Sequence, residues 1–222
     1  MEEVSVVIIS CNRLDLLIRT VSSFNKYNTY PIKEFIIVED SADVNMHQRV
    51  KELYSNYTLI FNEQNLGLFA SMDVGYSHVT APYVFHSEDD WEYVRSGFIE
   101  NSLTVLESDP LFMQAWIRGM SYVPLSGMTL EPELREVGGI PYYVIGRDSN
   151  DWWHGYCSQT GLRKMSAYEQ IKPFTQWSPV TDYLTWKECK VGQAYHALGY
   201  KVVTLLDEYA IHTGDNRRLW VW

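Results

Sequence analysis

The first half of the chain alternates short apolar runs with segments of helical periodicity. The apolar runs are rich in Val, Ile and Phe, which is typical of strands buried on both faces, and they cover residues 4–9, 35–38, 59–61 and 83–85. Between them, apolar residues recur three and four positions apart, which predicts helices over residues 14–27, 44–54 and 68–79. This alternation predicts an α/β fold with a mostly parallel central sheet, flanked by helices and joined by right-handed crossovers.

The second half is less regular. Its patterns predict helices over residues 96–106, 160–171 and 180–198, and strands over residues 112–117, 201–206 and 209–212. Residues 119–150 contain Gly and Pro with little periodicity, so we predict a long loop there, of the kind that serves as a lid or a binding loop. Because no linker composition separates the halves, we predict a single domain over residues 1–222, with lobes at residues 1–95 and 96–222.

Composition excludes several classes of protein. The 222 residues include 18 Lys and Arg against 28 Asp and Glu, and the resulting net charge of −10 argues against general nucleic-acid binding. No stretch approaches the roughly 20 apolar residues that a membrane span needs. The cysteines are three and widely spaced, and no signal peptide is visible, so we expect a cytoplasmic protein without a disulfide framework.

Polar and acidic residues follow the predicted strands, at the place where ligands bind in open α/β sheets. They occupy positions 10–13, 39–40, 62–67 and 86–91, and the last group contains the run Glu88, Asp89 and Asp90. Adjacent carboxylates repel one another unless a cation neutralises them, so the run indicates a divalent cation site, with a solvated acidic turn as the alternative. No glycine-rich nucleotide loop of the dinucleotide-binding or Walker type is present.

The motifs in this order resemble the GT-A fold glycosyltransferases, most closely those of family 2. Residues 6–13 resemble that family's first strand and turn, and residues 36–40 resemble its second strand with paired acids. Residues 65–75 resemble the helix that follows, and residues 83–90 resemble the strand with the DXD motif. The resemblance is looser further on. Residues 160–174 resemble the family's acceptor-side stretch, residues 188–202 its helix with the catalytic base, and residues 212–214 its late histidine.

The resemblance implies a metal-dependent, inverting transfer of a sugar from a nucleotide-diphosphate donor, with a UDP-sugar expected, to a hydroxyl of a glycan or another acceptor. It implies a donor site formed by Ser10, Asn12, Arg13, Asp40, Asn65, Gly67, Glu88, Asp89 and Arg163. Mn²⁺ or Mg²⁺ would be held by Asp90 and His212. The alternatives are structural: Glu39 and Asp40 could cap the next helix, and His212 could be an ordinary residue at a strand end.

Inversion needs a carboxylate that takes the proton of the acceptor hydroxyl. Glu188 falls on the family's catalytic Asp, although Lys187 replaces the Glu that precedes it, and a solvated helix position is the alternative. Asp151 and Asp182 are further candidates for the base. Trp152 and Trp153 are candidates for the acceptor site, because sugar faces stack on indole rings, although tryptophans also fill cores.

The last six residues, 217–222, are basic and then aromatic, which suits weak contact with a membrane, a partner domain or the donor.

The sequence leaves two other functions open. A sugar nucleotidyltransferase has a similar sheet but usually a glycine-rich loop after the first strand, which residues 10–13 lack. The change at Lys187 leaves open a nucleotide- or carbohydrate-binding module without turnover.

Overall fold

A computed structural model describes residues 1–120, 128–131, 133–148, 151–177 and 184–214. Its helices are α1 (Leu14–Tyr27), α2 (Val44–Tyr54), α3 (Leu68–Tyr76), α4 (Phe98–Glu107), α5 (Met165–Ile171) and α6 (Leu184–Ala197). Its strands are β1 (Val4–Ser10), β2 (Glu34–Glu39), β3 (Thr58–Phe61), β4 (Tyr83–Glu88), β5 (Trp91–Tyr93), β6 (Phe112–Trp116), β7 (Met128–Leu130), β8 (Arg135–Val137), β9 (Ile140–Asp148), β10 (Gly161–Lys164), β11 (Lys201–Leu205) and β12 (Ala210–His212).

One sheet runs through both predicted lobes, in the order β3-β2-β1-β4-β10-β6-β11-β9-β7, with β8 paired to β9. The strands β1, β2, β3, β4, β6 and β11 are parallel, whereas β9 and β10 run the opposite way. The chain moves outward from β1 through β2 to β3 and then returns to β4 on the other side of β1. A crevice for ligands opens at the carboxyl ends of the strands at such a switch point.

Alternate residues of each strand enter separate cores on the two faces of the sheet. On β1, Val6 and Ile8 pack with α1, α2 and α4, whereas Val7 and Ile9 pack with α3, α5 and α6. This double burial explains why both faces of β1 and β2 carry mostly apolar residues instead of alternating with polar ones. The predicted mostly parallel sheet flanked by helices is confirmed.

A short antiparallel pair completes the carboxyl edge of the sheet. The strand β5 follows directly after the acidic run, and β12 pairs with it so that His212 lies opposite Trp91. His212 therefore reaches the acidic run from the far end of the sequence. Among the described helices, none is long and apolar enough to cross a membrane.

Two predictions of local structure are wrong. Residues 119–150 are not one loop, because β7, β8 and β9 lie within them. The strands β7 and β8 each pair antiparallel with β9, and β9 pairs with β11. The predicted helix over residues 160–171 begins only at Met165, because the preceding residues form β10 between β4 and β6. Both errors have the same cause, since pairing with distant strands overrode weak local preference.

Candidate active site

A cleft of about 140 Å³ opens at the carboxyl ends of β1 and β4. Its lining combines apolar, polar and charged residues: Ile9, Ser10, Cys11, Arg13, Asp40, Asn65, Leu68 and Glu88. The switch point of the sheet and the predicted donor residues therefore coincide. Five of the nine residues predicted to bind the donor line this cleft, and three more, Asn12, Gly67 and Asp89, lie on the loops that form it.

Asp89 is fully buried and holds the turn that follows β1. Its Oδ2 accepts hydrogen bonds from Ser10 Oγ at 3.1 Å, the Cys11 amide at 3.3 Å and Arg13 Nε at 3.2 Å, and Arg13 Nη2 pairs with Oδ1. Burial raises the pKa of Asp89 to about 7, although the Arg13 charge opposes this shift. The contacts show Asp89 organising the cleft wall from within the protein.

Asp90 lies between Arg13 and His212. Its Oδ2 accepts a hydrogen bond from Arg13 Nη1 at 2.7 Å and lies 3.4 Å from His212 Nε2. Its Oδ1 is buried and has no hydrogen-bond partner in the described part of the chain. Burial opposes ionisation, but the His212 and Arg13 contacts hold the pKa of Asp90 below its ordinary value.

The segment after β12 closes over Asp90. The Thr213 amide and hydroxyl donate to the Asp90 carbonyl at 2.8 and 3.0 Å. A Cβ atom at Gly214 would lie 2.2 Å from Asp90 Oδ2, so only glycine allows this close passage. Over the ranges described above, no three His, Cys, Asp or Glu side chains are arranged to hold a metal ion by themselves. Asp90 and His212 are therefore a pair and not a complete metal cage among the described residues.

Both carboxylate oxygens of Asp40 accept hydrogen bonds from other groups of the protein. Oδ1 accepts from Asn62 Nδ2 at 2.7 Å and the Leu66 amide at 2.8 Å, and Oδ2 accepts from the Gly67 amide at 2.8 Å. Asp40 therefore fixes the loop that leads into α3. Neither acid of the pair at 39–40 caps α2, because Asp43 does so through the Asn45 amide.

Glu39 plays a similar part for the turn after β1. Its Oε1 accepts from the Asn12 amide at 2.9 Å and the Ser41 amide at 3.1 Å. Asn12 itself has a left-handed backbone with φ of 56°, a conformation that Asn tolerates better than most residues. Asn65 Nδ2 donates to the Asp40 carbonyl at 3.1 Å and to Cys11 Sγ at 3.3 Å, which ties the two loops together.

Two glutamates from different elements, Glu88 and Glu188, lie close enough for the charge of Glu188 to affect Glu88. Glu88 ends β4, and burial together with the nearby charges of Asp90 and Glu188 raises the pKa of Glu88 to about 8. Glu188 on α6 accepts two hydrogen bonds at Oε1, from the amide and the hydroxyl of Ser158, each at 2.7 Å. Burial raises the pKa of Glu188, although these two bonds oppose the shift. Ser158 carries no signal in the sequence, since an isolated serine in an irregular segment matches no motif.

Arg163 lies in the interior on β10 and does not line the cleft. Its Nη1 donates to Tyr76 Oη, and its Nη2 donates to the carbonyls of Cys157 and Gln159 at 2.9 and 2.8 Å. Burial lowers the pKa of Arg163, but the hydroxyls of Tyr76 and Tyr156 outweigh this effect and raise the pKa above its ordinary value. Its direct contact with a donor stays a prediction, whereas its contacts in the structure hold the segment before β10.

Three predicted residues lie away from the cleft. Because β9 is antiparallel to β11, its carboxyl end reaches the opposite edge of the sheet, and the segment with Asp151, Trp152 and Trp153 follows there. Asp151 is exposed and pairs with Arg147 at 2.9 Å, and the Trp152 carbonyl accepts from Gln193 near the end of α6. Asp182 and residues 217–222 lie outside the described residues.

The two tryptophans differ in their surroundings. Trp152 is 48% exposed. Trp153 packs beside Trp116, with ring centroids 6.1 Å apart, and its Nε1 donates to the Tyr156 carbonyl. Neither tryptophan lines the cleft, and their role in binding an acceptor stays a prediction.

The chain is similar to known proteins both in sequence and in structure. The family model described as Glycosyl transferase family 2 matches residues 5–172. No curated protein matches the chain significantly. A mannosyltransferase, PcManGT from Pyrobaculum calidifontis, in complex with GDP-Man and Mn²⁺, is similar with a TM-score of 0.69 and 14% identity, over 97% of this chain and 58% of that chain.

GalNAc-T7 with UDP, GalNAc and Mn²⁺ is also similar, with a TM-score of 0.66 and 13% identity, over 96% of this chain and 43% of that chain. This chain therefore spans about half the length of the two solved proteins. At these identities the likeness shows the fold, which is the GT-A fold that the sequence predicted. Because the family model covers more than half of the sequence, this chain belongs to glycosyl transferase family 2.

Proposed function

We propose that this protein transfers a sugar from a nucleotide-diphosphate donor, with a UDP-sugar expected, to a hydroxyl group of a glycan or another acceptor. The observation that carries the proposal is Asp90 at the switch point, with one buried oxygen lacking a partner among the described residues and the other close to His212. Family membership supports sugar transfer. The two similar solved structures contain GDP-Man or UDP together with Mn²⁺, which supports a diphosphate donor.

Asp90 and His212 fit a Mn²⁺ or Mg²⁺ ion. The buried Oδ1 of Asp90 offers a hard oxygen ligand that no protein donor in the described ranges uses. Such ions are commonly held by one or two protein ligands while substrate phosphates and water supply the rest, which suits a pair of residues better than a complete protein cage. When bound, the cation would neutralise the charge that develops on the departing nucleoside diphosphate.

The donor would lie in the cleft between the β1 turn and the loop before α3. Arg13 brings a positive charge to the cleft wall, where a diphosphate would sit, and it is held there by Asp89 and Asp90. Ser10, Asn65 and Glu88 offer polar side chains around the same space. Asp40 would act indirectly, since both of its oxygens already hold the loop of Leu66 and Gly67.

Glu188 is the proposed base for transfer with inversion. The acceptor oxygen would form the new bond to the anomeric carbon as the bond to the diphosphate oxygen breaks, and Oε2 of Glu188 would take the hydroxyl proton. Both Ser158 donors bind Oε1, so Oε2 remains for this role within the described residues. Burial raises the pKa of Glu188, which makes its carboxylate a stronger base near neutral pH.

Thermal unfolding with UDP, GDP and dTDP, each with and without Mn²⁺, tests the proposal. A ligand that binds only the folded state stabilises it by about 2.7 kcal/mol at a hundredfold excess over Kd. We expect stabilisation by UDP that requires Mn²⁺ in the natural protein and is lost in Asp90→Asn. Asp207→Asn is the matched control, because Asp207 pairs with Arg95 on the surface and should leave the response intact.

Two results would count against this function. If none of the nucleotides stabilises the protein with or without Mn²⁺, the cleft does not bind a nucleotide-diphosphate donor. If Asp90→Asn responds to UDP and Mn²⁺ as the natural protein does, Asp90 does not hold the cation. A UDP response in the natural protein would justify screening UDP-sugars for hydrolysis and transfer.

A further inference from the structure

We infer that Ser158 is a positioning residue for Glu188, and that Gln114 and Arg163 hold Ser158 in the orientation this requires. The inference rests on the proposed function, in which Glu188 is the base. It assigns a role to three residues that do not touch the donor cleft. It also gives Arg163 a part in the reaction through buried contacts instead of through direct donor binding.

The contact between Ser158 and Glu188 joins two separate parts of the chain. The amide and the hydroxyl of Ser158 both donate to Oε1, each at 2.7 Å, although the two residues are 30 positions apart. Ser158 is 1% exposed, so water does not compete for these bonds. Two donors on one oxygen fix the plane of the carboxyl group and direct the other oxygen away from Ser158.

The backbone around Ser158 is held by buried side chains on both sides. Arg163 Nη2 donates to the carbonyls of Cys157 and Gln159, at 2.9 and 2.8 Å, which are the residues that flank Ser158. Gln114 Nε2 donates to the same Cys157 carbonyl at 2.8 Å, and its Oε1 accepts from the Cys157 amide at 3.3 Å. These bonds direct the Ser158 amide toward α6, so the geometry of Glu188 depends on β6 and β10.

The hydroxyl of Ser158 also influences which form of Glu188 is present. A donor to a carboxylate favours its charged form, so losing the hydroxyl should raise the pKa of Glu188. Other charged and titratable groups face Glu188 from the surrounding elements and remain in the variant: Glu88, Arg118, Tyr156, Cys157, Arg163 and Cys189. Because these groups are the same in both proteins, a difference in the pKa of Glu188 between them comes from the Ser158 hydroxyl.

The test compares Ser158→Ala with Ser102→Ala, a matched control. Ser102 is also a fully buried serine with a bonded hydroxyl, but it lies on α4 at the other face of the sheet. The first measurement is the titration of the Glu188 carboxyl by ¹³C NMR, assigned through its loss in Glu188→Gln. The second is kcat for sugar transfer as a function of pH, with the KM of the donor.

We expect a higher pKa of Glu188 in Ser158→Ala than in the natural protein or in Ser102→Ala. We also expect kcat to fall roughly tenfold at pH 6.5 and to recover partly as pH rises, because more of the base is then charged, with the donor KM unchanged. An unchanged pKa, or an equal loss of kcat at every pH, would overturn the positioning role.

Failure of the proposed function would look different. If Glu188→Gln transfers sugar at the natural rate, Glu188 is not the base, and the inference falls with it whatever Ser158→Ala does to the titration. If Glu188→Gln loses transfer but Ser158→Ala keeps the natural pH profile, the base assignment holds and only the role of Ser158 is wrong.

Discussion

Arg13 contacts both carboxylates that follow β4, and its side chain is only 13% exposed. A buried charge is costly unless it is paired, and this single guanidinium neutralises Asp89 and part of Asp90. In the structure, residues 13, 89 and 90 form one electrostatic unit across 77 positions of sequence. Their positions after β1 and β4 predict that all three lie at one edge of the sheet, but nothing in the sequence predicts that they pair.

We predict that Arg13→Gln lowers the free energy of unfolding by about 3 kcal/mol at pH 8, where Asp89 and Asp90 are both charged, because it leaves buried carboxylates without their cation. The loss should be smaller at pH 5, where protonation of Asp89 removes the charge that needs a partner. Arg19→Gln is the control, since its pair with Glu92 is largely exposed and such pairs contribute about 1 kcal/mol or less. Urea unfolding at both pH values measures the difference, and equal losses in the two variants would contradict the prediction.

We predict that Glu188→Gln loses sugar transfer but keeps donor binding. Glu188→Gln keeps the size of the side chain but removes the base, so kcat should fall by about 10²- to 10⁴-fold while the donor still binds. Transfer kinetics give the first quantity, and the nucleotide-dependent shift in unfolding temperature gives the second. Loss of the thermal shift together with activity would mean that Glu188 supports donor binding instead.

At the scale of elements, α3 packs closely against the strands that carry the cleft. A Cβ atom at Gly75 would lie 2.7 Å from Val7 Cγ1 on β1 and 3.1 Å from Val38 Cγ2 on β2. The glycine therefore permits a close approach of helix and sheet. This approach sets the position of the loop before α3, which Asp40 holds at the cleft.

We predict that Gly75→Ala destabilises the protein by about 1–3 kcal/mol, because the added methyl group overpacks a filled core. Gly192→Ala on α6 is the matched control, since its Cβ would meet its nearest neighbour at 3.5 Å, an ordinary contact. That change should be neutral or stabilise by up to about 1 kcal/mol, as alanine favours the helix. Denaturant unfolding should therefore show a loss of stability in Gly75→Ala and none in Gly192→Ala, and a neutral or stabilising Gly75→Ala would refute the packing argument.

For the whole molecule, Glu34 links the amino ends of three adjacent strands of the sheet. It begins β2, accepts from Ser5 Oγ of β1 at 2.5 Å, and accepts from the amide of Thr80, ahead of β4, at 3.0 Å. Burial alone would raise the pKa of Glu34, but these hydrogen bonds lower it below its ordinary value of 4.5. The charged form therefore stabilises the fold.

We predict that Glu34→Gln is less stable than the natural protein by about 1 kcal/mol at pH 7. Because the folded pKa is lowered, the stabilisation by Glu34 is complete above pH 4.5 and is lost as pH falls through the folded value. The difference between the two proteins should thus shrink in acid. Unfolding free energies from pH 7 to pH 3 measure it, with the exposed Glu52→Gln as control, and a constant difference would disprove the linkage.

The sequence by itself determined the parallel strands of the first half, the helices between them and most of the cleft. Apolar runs and helical periodicity are local, and they gave α1 and α2 with the boundaries found in the structure. Residues that follow parallel strands must meet at one edge, so Ser10, Asp40 and Glu88 could be grouped without coordinates.

Only the tertiary structure decided which polar groups form hydrogen bonds or ion pairs with one another and which remain for a ligand. Pairings between distant residues, such as Ser158 with Glu188, leave no pattern in the sequence. The strand β10 and the region of β7 to β9 form because distant strands offer partners, not because of their own periodicity. The direction of β9 likewise places Asp151 and Trp152 at the edge opposite the cleft, because an antiparallel strand ends where its parallel neighbours begin.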